Sequence, residues 1–563
     1  MTAERLELVE RWFLRAGLFV LPVAFWWDTY DQYVLPKLLV ARVLVIGLLI
    51  LYTAKALSTR TYGFKRTLLD LPFLAFLASA MVSTVLAENQ NIGVFGTYSR
   101  YDGLLTIATY AALFWLSIQA IDGPGDARSV LRVLLASGYL VATIAIVQWV
   151  MDSVRLGTLA QAFGTLGQQN VLGAYLAMLV PLAYGELMGA KGWGGRILAL
   201  NGLAVITLTL VLTFSRSAWL GTALAAVVVL AGMRHTAGRV GLAGMAVLLV
   251  GGVALAAASA PGGLLEHSLV ARAMTLFDPG AWGPRPAIWR DSLSLIASRP
   301  LLGYGPDNFG LVYPRFQATF LGTVQVDKAH SEALQVAATQ GLVGLAAYLW
   351  LLAAFVRSFW LGRRADRAIP VFAAWIGYQV TLQLNFSALA ASLPFWIFAA
   401  AAIESWGVST PAKPRALSGA RWTAAGAGVI AGSAALAVAS TSLSYLADAH
   451  LLSAVNADYG RKPDIAQAEA RLAERLGPRE SVYAVEVGNL AFERGDWAAA
   501  RIAYRDATRL GTYNPLVYRN LALADRDLGL RAEGEAAARK AVELDRFDPA
   551  NQALLAQFEV GAP

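Results

Sequence analysis

Thirteen apolar runs, each close to the ~17–25 residues that a helix needs to cross a bilayer, narrow the possible folds more than any other feature. They fall at about 12–27, 38–57, 68–87, 103–121, 129–150, 170–189, 196–214, 217–233, 239–260, 335–361, 368–386, 390–406 and 421–441. Lipid offers no partner to a backbone N–H or C=O, so such runs satisfy their own backbone as helices. The expected fold class is an all-α integral membrane protein with about 13 transmembrane helices. Only 15% of the residues are charged, where a soluble domain carries about 25%, so an ordinary soluble enzyme is excluded. Cysteine is absent, which excludes disulfides, thiolate nucleophiles and cysteine metal sites. No small-residue cleavage site follows the first run, which reads as an anchor rather than a removable leader.

Basic residues alternate from loop to loop. Lys55, Arg60, Lys65 and Arg66 follow the second run, Arg128 the fourth, and Lys191 and Arg196 the sixth. Arg234 and Arg239 follow the eighth, Arg357, Arg363, Arg364 and Arg367 the tenth, and Lys413, Arg415 and Arg421 the twelfth. The loops between them hold isolated cations: Lys37, Arg100, Arg155 and Arg216. The positive-inside rule then puts the N-terminus in the cytoplasm and, after an odd number of crossings, the C-terminus outside. The long loop 261–334 also faces outward on this reading. The net charge of +8 is modest and belongs to such loops, so no nucleic-acid partner is expected.

Residues 1–441 thus read as a polytopic membrane domain and 442–563 as an external helical domain. The latter is rich in Ala, Leu, Arg and Glu and holds a 34-residue spacing. Ala473, Ala507 and Ala541 keep that interval, as do Leu476, Leu510 and Leu544. Gly495 pairs with Gly529 and Pro515 with Pro549. Thirty-four residues is the tetratricopeptide period, one helix pair per repeat, and two repeats resemble that family, with 448–481 a degenerate third. Such arrays bind proteins on a concave face. The segment is expected to be helical, dispensable for chemistry, and a place for a protein partner.

Polar residues gather at the outer ends of the runs, where membrane-depth charges default to functional hypotheses. "FGTYSRYDG" (95–103) holds Arg100 and Asp102, and "FGTLGQQN" (163–170) ends in Gln169 and Asn170. "FSRSAW" (214–219) is a tight turn that pins Arg216. The long loop holds "RPAIWRD" (285–291), with Arg285 and Arg290, and "RPLLGYGPDNFG" (299–310), with Tyr304. "KAHSEALQVAATQGLVG" (328–344) then brings His330, one of four histidines in the chain, to the start of a run. Arginine stays charged and grips phosphate with a planar fork. A neutral imidazole accepts a proton near its ordinary pKa of about 6.5. Together they suit glycosyl transfer from a lipid-diphosphate sugar to an alcohol, with the diphosphate leaving against the arginines.

Plainer readings exist for each residue. A histidine at a helix start is often an interfacial cap, Arg216 a snorkelling side chain, and Arg285 and Arg290 headgroup contacts. Gly303 and Gly305 serve a turn. Glu332, two positions from His330, is expected on another helix face, which argues against a His–Glu dyad. No Gly-rich phosphate loop precedes a helix, so neither nucleotide nor other cofactor is expected.

Three segments together resemble the O-antigen ligase superfamily, which includes O-antigen polymerases and protein O-oligosaccharyltransferases. They are "FSRSAW", "GPRPAIWRDSLSLIASRPLLGYGPDNFG" in the long loop, and "HSEALQVAATQGLVG", with His330, Leu334, Gly341 and Gly344. The resemblance covers roughly residues 1–410. It implies a metal-independent glycosyltransferase of the bacterial inner membrane that uses undecaprenyl-diphosphate-linked glycan, as in lipopolysaccharide or other envelope polysaccharide assembly. Carried over by motif, His330 would be catalytic and Arg216 and Arg285 would bind the diphosphate. Arg290, Arg100, Gln169, Asn170 and Tyr304 stand as additional candidates. Family cores commonly have twelve spans; here a thirteenth leads to the repeats, which leaves lipid, glycan and protein acceptors open. A transporter is the alternative outside enzymes, but its charges would sit at mid-membrane.

Overall fold

The computed structural model describes residues 2–157, 159–232, 283–321, 325–365, 367–411, 414–417 and 420–560. The apolar run 239–260 and the loop segment 261–282 lie outside the described residues. The remaining runs fall on helices: α1 (Ala3–Val23), α2 (Val34–Thr59), α3 (Asp70–Val85), α4 (Gln90–Phe95), α5 (Leu104–Ala120), α6 (Gly123–Leu156), α7 (Gln169–Met188), α8 (Gly192–Leu212) and α9 (Arg216–Gly232). The loop contributes α10 (Arg285–Ser298) and α11 (Phe309–Val312), and α12 (Glu332–Gly362), α13 (Ala368–Gln383) and α14 (Leu389–Ser405) follow. The last segment comprises α15 (Ala420–Tyr459), α16 (Pro463–Leu476), α17 (Ser481–Glu493), α18 (Trp497–Leu510), α19 (Pro515–Asp527), α20 (Arg531–Leu544) and α21 (Pro549–Val560). Strand is confined to one short antiparallel pair among the described residues, Thr61 opposite Ala416 and Tyr62 opposite Arg415.

Six described helices are long and apolar enough to cross a membrane: α2, α6, α7, α8, α12 and residues 424–459 of α15. Four more, α3, α5, α9 and α14, are shorter apolar helices. The chain is a multi-pass helical membrane protein. At its centre α7 and α14 are buried on nearly every side, as helices that are apolar all round must be.

Several charges inside the bundle are paired. Arg15 holds Asp126 and donates to Ser129 (3.3 Å), and Glu186 joins Arg132 (3.2 Å) to Arg367. Lys37 lies within α2, not in the loop before it. Its buried ammonium donates to the carbonyls of Ala24 (2.7 Å), Tyr33 (2.9 Å) and Thr165 (2.5 Å), so it satisfies backbone that lipid would leave bare.

The helix that follows His330 is broken. Gly341 (φ 70°) interrupts α12, and a β-carbon there would stand 2.1 Å from the Leu301 carbonyl oxygen. The segment 300–305 runs into the gap. Leu342 N–H donates to Pro300 (2.7 Å), Tyr304 N–H to Ala338 (3.1 Å) and Gly305 N–H to Thr339 (2.8 Å). Ser83 of α3 donates to the carbonyls of Leu302 (2.7 Å) and Thr339 (2.6 Å). Irregular backbone at this depth is tolerable because protein surrounds it.

The repeat segment keeps its 34-residue interval in three dimensions. Helices start at Pro463, Trp497 and Arg531, and at Ser481, Pro515 and Pro549. Ala473, Ala507 and Ala541 are fully buried, as small residues at helix contacts should be. Gly495 and Gly529 turn within each pair at φ 72° and 73°. The anticipated boundary near 441 falls inside the unbroken helix α15. Asp448 on that helix accepts from Asp31 N–H (2.8 Å) and from the Tyr98 hydroxyl. The repeats also grip the site-bearing loops: Asn91 donates to Arg479 O (3.0 Å) and Leu510 O (3.1 Å), and Arg315 pairs with Glu543 (2.6 Å).

Candidate functional site

His330 precedes α12 rather than lying on it. Its backbone is left-handed (φ 51°), Ser331 holds the N-cap position, and Glu332 begins the helix. The turn is fastened by Trp289, whose indole N–H donates to the His330 carbonyl (3.3 Å), and by Gln335, which accepts from Ala329 N–H (2.8 Å). The imidazole meets Phe386 edge to face at 5.3 Å, and its buried Nδ1 has no protein hydrogen-bond partner. Burial, then the charge of Arg285, then Arg100, push its pKa down to about 4, against the opposing pull of Asp327. At neutral pH this ring is an uncharged acceptor.

Arg285 opens α10 after a left-handed Gly283 (φ 63°), and its field reaches His330. Arg100 also lies against Phe386, its guanidinium carbon 5.1 Å from the ring centre, and pairs with Asp327 at 2.6 Å. Arg216 opens α9 at the same end of the bundle. Ser215 beside it donates to Asn170 (2.9 Å), which ties "FSRSAW" to the start of α7, where Gln169 also lies. The turn is tight because Gly173 lets α7 approach: a β-carbon there would meet that of Ala218 at 2.8 Å. Thr381 near the end of α13 donates to Ser217 O (3.4 Å), and α13 leads into the turn that carries Phe386. His330 and Arg100 thus both lie against Phe386 and the charge of Arg285 reaches His330, with Arg216 and Asn170 at the neighbouring helix ends.

Residues 202–349 match the O-antigen ligase family model.

The matched segment contains Arg216, Arg285, Arg290, Tyr304 and His330, and leaves out Arg100, Gln169 and Asn170. It supports a glycan ligase- or polymerase-like role at a membrane. Comparison with curated proteins gives no match. Among solved structures, the tetratricopeptide domain of Arabidopsis OM64 is similar at 15% identity and TM-score 0.21, over 21% of this chain and 99% of that one. That likeness is too slight to bear on the fold.

Two residues of the matched segment are engaged in loop packing. Arg290 turns to Asp291 (3.2 Å) and Thr319 (3.0 Å). Tyr304 is buried under Arg299, 4.3 Å from its ring centre, and its hydroxyl meets Ser298 at 2.8 Å. Glu332 does not face His330: it accepts from Ser387 N–H (2.8 Å) and Oγ (3.0 Å) and so fixes the turn bearing Phe386.

Sequence reasoning missed the ionic floor of this site. Buried Lys328 pairs with Asp102 (2.7 Å) and Asp307 (2.8 Å), and Asp307 also accepts from Thr97 N–H (2.7 Å). One ammonium thus staples three separate motifs. Burial works against the charged Lys328, but the two carboxylates outweigh it and raise its pKa. Burial, eased by Lys328 and reinforced by Asp307, pushes Asp102 up to about 6. All three residues sit in motifs quoted above, but Asp102 is 226 positions from Lys328 and Asp307 is 21, so neither pairing leaves a local trace.

Backbone strain marks the same loops. Eight described non-glycine residues have positive φ, and Ser99, Tyr101, Phe214, Asp307 and His330 all belong to site motifs. Such conformations cost about 1–3 kcal/mol each and persist where surrounding contacts over-determine them. A pocket of about 310 Å³ runs from Arg100 and Asp102 past Ser387 to Gln168 and Gly167 before α7.

Proposed function

We propose that this protein transfers a glycan from a polyprenyl-diphosphate carrier, undecaprenyl diphosphate by the family's example, to an acceptor hydroxyl at the outer face of a bacterial inner membrane. The observation that carries this reading is His330: half-buried, uncharged at neutral pH, with an enclosed Nδ1 that has no protein partner, and in the field of Arg285 and Arg100. The acceptor oxygen attacks the anomeric carbon while its proton passes to the imidazole. The bond from that carbon to the phosphate oxygen breaks, and the lipid diphosphate leaves with the bonding pair. Arg285 and Arg216 hold that growing charge, with Arg100 beside them.

The decisive assay is transfer in vitro from an undecaprenyl-diphosphate glycan, with donor binding measured separately. His330→Ala should lose about 10²–10⁴ in rate while donor binding survives. Arg216→Lys and Arg285→Lys keep charge but lose the fork, and should cost about 10²–10³. Full transfer by His330→Ala would return this histidine to an interfacial cap. The same reading orients the chain with thirteen crossings, its N-terminus cytoplasmic and its repeats external. Reporters fused after residues 64 and 365 should then read cytoplasmic, and those after 155 and 450 external. A cytoplasmic signal at 450 would invert the repeats and remove them from the site side.

A further inference from the structure

The charged side chains that line the pocket of about 310 Å³ between Arg100 and Gln168 are already answered by protein. Arg100 pairs with Asp327 (2.6 Å) and Asp102 with Lys328 (2.7 Å). Asp31 accepts from the N–H groups of Val34 (2.9 Å) and Leu35 (3.2 Å). Gln168 lines the same pocket and differs: its Oε1 is buried without a protein partner. The loop before it is pinned and cannot turn to supply one. Gln148 accepts from the N–H groups of Phe163 (3.2 Å) and Gly164 (3.1 Å), and Lys37 donates to Thr165 O (2.5 Å). Gly167 (φ 78°) then lets Tyr33 approach, since a β-carbon there would meet Cγ of Tyr33 at 2.7 Å. Tyr33 also lines the pocket and stands edge to face with Phe163, their ring centres 6.0 Å apart.

We propose that this pocket seats the ring of the sugar joined to the donor diphosphate, and that the Gln168 carboxamide reads that ring. The inference rests on the glycosyl-transfer reading. The orphaned atom is an acceptor, and an ionised diphosphate offers acceptors only, so the two do not match. A sugar hydroxyl or acetamido N–H supplies the missing donor. Because the charges of the pocket are matched, the part of the ligand held here is polar and uncharged. The negative face of an aromatic ring such as Tyr33 attracts the C–H groups on the flat side of a pyranose. Position selects the donor's sugar over the acceptor's. Arg100 at one end lies against Phe386, as His330 does, and Gln168 at the other end is two residues from Asn170, which holds the turn bearing Arg216.

The test uses the full chain in detergent and competition against a fluorescent polyprenyl diphosphate. The probes are undecaprenyl diphosphate and the same lipid carrying one glucosyl, galactosyl or N-acetylglucosaminyl residue. One sugar-bearing lipid should bind about tenfold to hundredfold tighter than the bare diphosphate, the size of pairing a buried polar group that is otherwise left unmatched. Gln168→Met, close in shape but without the amide, should erase that preference and leave the affinity for the bare lipid unchanged. Tyr33→Leu should reduce the preference. Equal binding of all four lipids to the unmodified chain would overturn the proposal and leave the glycosyl-transfer reading in place; binding of none would end both. A preference that survives Gln168→Met would assign the amide to water and overturn its role. If Gln168→Met raised KM for the acceptor in the transfer assay and left the donor preference intact, the pocket would belong to the acceptor's sugar and the donor assignment would fall. Where a variant fails to fold, the comparison of lipids on the unmodified chain still decides.

Discussion

His330 is a poor base as it stands and a better one with donor present. Its pKa is pushed to about 4 by burial and then by Arg285 and Arg100. If the proposed diphosphate binds against these arginines, its negative charge should raise the imidazole pKa towards its ordinary value, readable by NMR titration of a labelled histidine. No upward shift with donor bound would separate the arginines from the diphosphate. The free protein offers a second readout. The unfolded imidazole takes a proton near pH 6.5 that the folded ring refuses until about 4. Stability relative to His330→Gln is therefore fully present above about 6.5 and drains away as pH falls towards about 4. Thermal melts across that window check the sign. Activity of the free-enzyme form should likewise persist well below the pH that an unperturbed imidazole would set.

Among the elements, α12 teaches most. Sequence periodicity gives an unbroken run over 335–361, and the structure breaks it at Gly341 because the Leu301 carbonyl passes where a side chain would stand. Gly341→Ala should lose at least the ~1–3 kcal/mol of a strained φ, plus whatever the displaced 300–305 segment costs, seen as a lowered melting temperature. A melt unchanged from wild type would show that the break tolerates a side chain. Helices were legible in the sequence because hydropathy and length decide them; the break was not, because its cause lies 40 residues away in the loop. The same holds for the site. Arg216, Arg285 and His330 stood out in the sequence as polar residues at the water–lipid boundary, and their proposed roles await the transfer assay. Lys328 was passed over because a lysine near a helix start looks ordinary until Asp102 and Asp307 close on it. Phe386 was passed over because aromatic residues at membrane boundaries are common.

On the scale of the molecule, the repeats are less separable than their sequence implies. They contribute Tyr518, Ala541 and Leu544 to the apolar cluster that also contains Ile92, Ile288 and Tyr304 beneath the loop. Arg315, Asn91 and Asp31 spend hydrogen bonds on them. A chain ending near 410 should therefore lose stability of the 283–330 loop, not just a partner. Limited proteolysis should cut that loop faster, and transfer should fall with it. Equal protection and equal transfer would restore the repeats to a dispensable appendage. The covering contacts also have a consequence in time. They are supplied by residues up to Arg546, made well after His330 leaves the ribosome. At ~5–20 residues per second, the roughly 200 intervening residues take about 10–40 s. Over that interval the loop that carries Pro314 waits for the contact from Arg546, so the order of synthesis itself delays the completed arrangement.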